Sequence, residues 1–175
     1  MIRRWIGPLV AGLMLGGVAW QTVMVVAPDA LMRLAVRRVS ALGGFNRFAH
    51  ASLATAASRT IVRPSPDLAY SSCPFDLSAG PLLIDAVPVP APYWSLSIFD
   101  THTNAALVRN GIKARDKPFR IAVLTSRQAA PSGYEPVHVD GTRGIALVRI
   151  LIDNRARFSE IDRERRATTC RSSAS

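Results

Sequence analysis

The chain has 175 residues, of which 49% are hydrophobic and 19% charged, and a formal net charge of +10. That length allows one domain plus an appendage, and the apolar share is enough to build a core. The charge sits on two flanks, since residues 31–63 carry six Arg and no acid, residues 64–153 carry eight basic and eight acidic groups, and residues 154–175 carry six Arg against three acids; the neutral body excludes a nucleic-acid groove, and basic flanks suit an anionic membrane surface.

Between Arg4 and Asp29 there is no charged residue. As a helix, the apolar run Trp5–Ala27 would span roughly 34 Å, against a hydrocarbon core of about 30 Å. Trp5 stands where an interfacial aromatic belongs, and Pro8 falls in the first turns, where a missing N–H costs least. A cleaved signal peptide would have a shorter apolar core and a small-x-small site after it. Neither is present, so residues 1–28 read as an uncleaved transmembrane anchor in the lipid bilayer. Gly12 and Gly16 form G-x-x-x-G, a spacing that lets two helices approach closely and would allow a homodimer. Glycine is also common in membrane helices without that role.

Residues 29–59 read as a basic amphipathic helix and a linker. The helix is expected over Asp29–Ala49, with Asp29 as its N-cap. Leu31, Leu34, Ala35, Val39, Leu42 and Phe45 fall on one side at helical spacing, with Arg33, Arg37, Ser40 and Arg47 opposite. Gly43-Gly44 can bend or end it. The apolar side either lies in the membrane interface or packs on the following domain.

From residue 60 the pattern changes to short β-prone runs split by Pro and Gly. Ile61–Arg63 stops at Pro64-Ser65-Pro66. Further strands are expected over Leu68–Cys73, interrupted by Pro74, then Leu82–Val87, Trp94–Phe99, Ala106–Arg109, Phe119–Thr125, Pro136–Asp140 and Ile145–Ile152. Apolar and polar residues alternate in Trp94–Phe99, as in a half-buried strand. Leu83, Val87, Trp94, Leu96, Ile98, Ile121, Val123, Leu147 and Ile150 are the expected core. The fold class is mainly β, an antiparallel sandwich over residues 60–153. Residues 154–175 read as a basic tail, with Asn154–Ala167 a solvated helix.

The block RPSPDLAYS, the turn FDLSAGP and the strand YWSLSIFD, with the closing LVRILID, resemble the family catalogued as domain of unknown function 1254. That family shows Arg-Pro-Asn-x-Asp-x-x-Tyr-Ser, then Asp-Leu-Ser-x-Gly-Pro, and this chain departs at Ser65. The resemblance covers roughly residues 45–165. It implies a jelly-roll-like β fold and an exported or membrane-linked location, and no established activity. In larger members a second β-domain follows, so the expected partner is a separate envelope protein carrying that second domain.

The candidate binding residues are Arg63, Asp67, Tyr70, Ser71, Asp100 and His102. The first four match the family block. They would either line a pocket for a small anionic or hydroxylated ligand or hold a Pro-rich turn closed, and the second reading is favoured because irregular turns need polar partners. Asp100 and His102 lie two apart on one strand face, with His138, Glu135 and Asp140 as further donors, but the spacing matches no metal motif. No metal or cofactor is assigned, and no nucleophile elbow or phosphate-cradling loop is present. Cys73 and Cys170 would pair in an oxidising compartment. Two unrelated thiols are preferred, since polar tail residues surround Cys170.

Counting Arg33, Arg37, Arg38 and Arg47 against Arg3 and Arg4, the positive-inside rule points the C-terminal domain inward. Arg3-Arg4 directly before an apolar run is how export signals begin. The expected arrangement is a single span in a bacterial inner membrane with the β-domain in the periplasm. Its expected role is a binding or interaction module, the alternative being an enzyme working at Arg63, Asp67 and Tyr70.

Overall fold

A computed structural model describes every residue except 1–2, 56–57, 59–63 and 174–175. Helix α1 runs unbroken over Arg3–Gly43, through both Pro8 and Pro28. The separate second helix capped by Asp29 is therefore not formed. The helix is long and apolar enough to cross a membrane, and proline is tolerated in such helices because freed backbone groups find other partners. It ends at Gly44, whose φ of +82° is left-handed and whose N–H bonds the Ser40 carbonyl at 2.7 Å, a glycine stop.

Among the described residues, nine strands follow in two sheets. Strand β1 (Ala49–His50), β2 (Leu68–Asp76), β3 (Leu82–Ala86), β4 (Trp94–Phe99) and β5 (Ala105–Asn110) precede a one-turn helix α2 (Gly111–Ala114). Then come β6 (Phe119–Leu124), β7 (Glu135–His138), β8 (Arg143–Leu151), helix α3 (Phe158–Arg165) and β9 (Thr169–Ser172). One sheet has the order β1-β2-β8-β4-β5 and the other β7-β6-β3-β9. All pairings are antiparallel except β6 with β7. The fold is mainly β, as expected. Pro74 does not interrupt β2, which pairs with β8 along its whole length. The proposed Ile61–Arg63 strand lies outside the described residues.

The core lies between the sheets. Period-two alternation turns Ala69, Cys73 and Phe75 of β2, Leu96 and Ile98 of β4, and Ala146, Val148 and Ile150 of β8 toward Leu82, Ile84, Ile121 and Val123 of the other sheet. Trp94 joins them and stacks on Phe119 at 5.9 Å. Leu147, expected in the core, is half-buried on the outer side of β8, and the core positions are its neighbours Ala146 and Val148. Val87 is also only half-buried, and Leu83 is buried in a small separate cluster with Ala122 and Leu124. A Cβ at Gly144 would run into the Phe99 carbonyl and the Phe75 ring, so β8 approaches β4 this closely only with glycine there.

The chain end is part of this core rather than a solvated tail. Ile161 is fully buried on α3, and β9 pairs with β3 in the second sheet. Cys170 of β9 is joined to Cys73 of β2 by a disulfide, with their Cα atoms 6.7 Å apart. The two cysteines are therefore not the unrelated thiols expected. Pairing β9 to β3 sets Cys170 opposite Ile84, on the inner face across from Cys73.

On α1 the docked stripe is also different from the expected one. Met32 and Val36 are buried, whereas Leu31, Leu34 and Leu42 are exposed. Asp29 stands on the docked side and meets His102 at 2.6 Å.

Candidate functional site

A cleft of about 680 Å³ opens at one end of the two sheets. Its walls are the β2–β3, β4–β5, β6–β7 and β7–β8 connections, which place Asp100, Arg127, His138 and Asp140 around it. Asp100 is buried and fully used: Oδ1 accepts from the His102 and Asn104 N–H groups at 2.8 Å each, and Oδ2 accepts from the Asn104 amide at 3.1 Å. It holds its own loop closed. Gln128 locks the facing loop, accepting from the Thr125 N–H at 3.0 Å and donating to the Leu77 carbonyl at 2.8 Å. Two fixed loops thus frame the exposed side chains of Arg127, His138 and Asp140. A mixed-charge, water-open cleft of this kind suits a small polar ligand or a partner's loop.

The expected metal donors do not gather. His102 turns away to Asp29, and that hydrogen bond and charge raise its pKa above the ordinary value. Glu135 receives Arg109 of β5 in a paired contact at 2.8 and 2.6 Å. Among the described residues, no three His, Cys, Asp or Glu side chains are grouped to hold a metal ion.

The four residues of the sequence block also part company. Arg63 lies outside the described residues. Asp67 is exposed, and its carbonyl accepts from the Ile152 N–H at 2.9 Å. The Tyr70 hydroxyl accepts from the Ser65 N–H at 3.1 Å, closing the Pro-rich turn. Ser71 is buried, and its hydroxyl meets His50 Nδ1 at 2.9 Å.

Beside Ser71 is a group that no sequence pattern singles out. Arg165 is 1% exposed. Its guanidinium donates to the Tyr70 carbonyl at 2.9 Å, to the Ala51 carbonyl at 2.7 Å and to the Asp162 carboxylate, and it lies over the Phe158 ring. A buried arginine is stable only when its donors are met in this way. Burial and the nearby Arg165 and Arg166 charges lower the pKa of His50. For Asp162, burial opposes ionisation, but hydrogen bonds from Arg166 and Arg165 outweigh it and lower the pKa. With Ser71 shut off from solvent, this cluster ties α3 to β1 and β2 rather than presenting a nucleophile. The only advance signal was an i, i+3 spacing of Asp162 and Arg165, which is common on any helix.

Residues 45–172 match the family described as "Protein of unknown function (DUF1254)". The chain belongs to this family. No curated protein matches it. Among solved structures, the VPA0106 protein of Vibrio parahaemolyticus superposes with a TM-score of 0.60 at 12% identity, covering 84% of this chain and 37% of that one. A putative uncharacterized protein of Burkholderia cenocepacia gives a TM-score of 0.49 at 16% identity, covering 66% of this chain and 34% of that one. The chain thus spans little more than a third of the solved proteins it resembles. For this DUF1254 domain the VPA0106 likeness bears on the fold alone. Its cleft of about 680 Å³ exceeds the one of about 470 Å³ beside Pro88 and Pro90.

Proposed function

We propose that this DUF1254 chain is a single-span protein of the bacterial inner membrane whose periplasmic, jelly-roll-like β-domain is a binding or interaction module. The observation that carries this reading is the Cys73–Cys170 disulfide downstream of an exposed apolar helix. Structural disulfides persist in oxidising compartments and are rare in the cytosol. The two facing sheets around one core support the jelly-roll-like assignment. The cleft framed by Asp100 and Gln128 supports binding, since Arg127 and His138 stand at its rim on loops fixed by their neighbours. A second β-domain on a separate envelope protein is the proposed partner. The exposed edge strand β5, with Val108 in the open, supports it. The enzyme alternative draws no support from Tyr70 and Ser71, whose hydroxyls are occupied by Ser65 and His50.

Alkaline phosphatase fused after Ser175 should be active in intact cells, and thiol trapping should recover the chain oxidised. A silent fusion with an active cytoplasmic reporter at the same site would put the domain inside and end the envelope reading. The binding half is read by photocross-linking from a probe in place of Arg127. A discrete adduct is expected, and adducts no more frequent than from a probe at Arg163 would sink it.

A further inference from the structure

Where α1 leaves the apolar run and meets the β-domain, a cavity of about 90 Å³ lies between Arg33 and Arg37 of the helix and Arg143 at the start of β8. By liquid volume it holds roughly three waters, room for one small anionic head. Arg143 is held from behind: its Nε donates to Asp76 at 2.8 Å and its guanidinium lies 5.4 Å over the Phe45 ring. Asp76 offsets one positive charge, and burial opposes its ionisation, but hydrogen bonds from Ser78 and Arg143 lower its pKa. The helical pair has no such offset. Arg33 and Arg37 are exposed and have no acidic partner among the described residues. Asp29, one turn earlier and correctly placed to pair with Arg33, is taken by His102. Like charges four residues apart on a helix repel, so the site carries an unmet positive charge that an anion would relieve.

The depth of the site says which anion. With Ala27 at the hydrocarbon boundary, six residues of helix rise put the Arg33 backbone about 9 Å above it, at the outer limit of a headgroup layer roughly 5–8 Å thick. Helical side chains tilt toward the N-terminus, which here is the membrane side. That tendency directs both side chains back toward the bilayer, from backbones about 9 Å and about 15 Å above the boundary, and arginine stems readily extend this way.

We propose that Arg33, Arg37 and Arg143 form a seat for the phosphate of an anionic phospholipid headgroup, clamped between the stalk and the β-domain. This rests on α1 being a membrane span. The shared chemistry would also admit a soluble phosphate compound, so the test separates the two. Full-length chain in detergent is titrated with phosphatidylglycerol and with phosphatidylcholine of the same acyl chains, and bound lipid is read by native mass spectrometry. About tenfold tighter retention of phosphatidylglycerol is expected. In the double variant Arg33→Gln/Arg37→Gln the two lipids should bind alike, while Arg163→Gln keeps the preference and all three proteins melt at the same temperature. Equal binding by the natural chain, or a preference that survives the double variant, overturns the seat. Glycerol phosphate displacing the lipid at matching concentration overturns the lipid source. Carbonate extraction of the same membranes separates the failures. A chain that washes off loses the span and the seat together, whereas an integral chain without headgroup preference loses the seat alone.

Discussion

His50 and His102 show how one residue type answers its surroundings. The folded pKa of His50 lies below its ordinary value of 6.5, through burial first and then the charges of Arg165 and Arg166. Between the two values the unfolded chain binds more protons, so stability falls as pH drops below 6.5. His102 has the reverse sign: Asp29 raises its pKa, so its contribution is complete below 6.5 and is lost as pH rises through the raised value. His102 is exposed, so solvent screening keeps its share small, and His50 should dominate. Urea unfolding at about pH 5 should give a lower free energy than at about pH 7. His50→Asn should flatten that difference. An unchanged slope in the variant would assign it to other groups. None of this could be read from the sequence, where His50 and Arg165 are 115 positions apart and nothing marks them as neighbours.

At the scale of elements, the central β-strands and the existence of the long helices were legible, but not which helix face is covered nor the short strands β1 and β9. Trp94–Phe99 alternates cleanly, and its pattern put Leu96 and Ile98 in the core, but Ser95 and Ser97 on the other face are buried as well, so the strand is not the half-buried one expected. Residues 145–152 are apolar on both faces, and there the pattern could not choose between Leu147 and Val148. The stalk failed for a related reason. Leu31, Leu34 and Leu42 make one acceptable stripe and Met32 with Val36 another, and only the position of the β-domain decides which is covered. Asp29 was a reasonable cap by residue type, but the helix was already continuous through Pro28. The stop at Gly44 was legible, and it permits a test. A Cβ there meets nothing within 4 Å, so the effect of Gly44→Ala is confined to the φ of +82°. The variant should lose on the order of 1 kcal/mol, measured by chemical denaturation of the full chain. No loss would mean the left-handed turn is not required to bring Phe45 back onto Arg143.

Across the whole molecule, the end of the chain was the least legible part. Residues 154–175 are polar, and composition alone makes them a tail. Their few apolar and small residues are nonetheless those that enter the core: Ile161 plugs it from α3, and Cys170 reaches it from β9. The disulfide closes a sequence separation of 97 residues and joins the two sheets. In the chain-entropy account, a loop of that length stabilises by constraining the unfolded chain, with measured effects mostly of about 2–4 kcal/mol. Cys170→Ser should lower the unfolding free energy by that amount under oxidising conditions. It should also abolish the effect of added dithiothreitol, which in the natural chain lowers the midpoint to the variant's value. Strand β9 lies at a sheet edge with four residues, so its pairing to β3 alone holds it weakly once the bridge is gone. Limited proteolysis should then cut first within residues 166–173 of the variant, with β2, β4 and β8 still protected. Cleavage that starts in the central strands would mean the bridge supports the whole core, and the loss of stability would then exceed the entropic range.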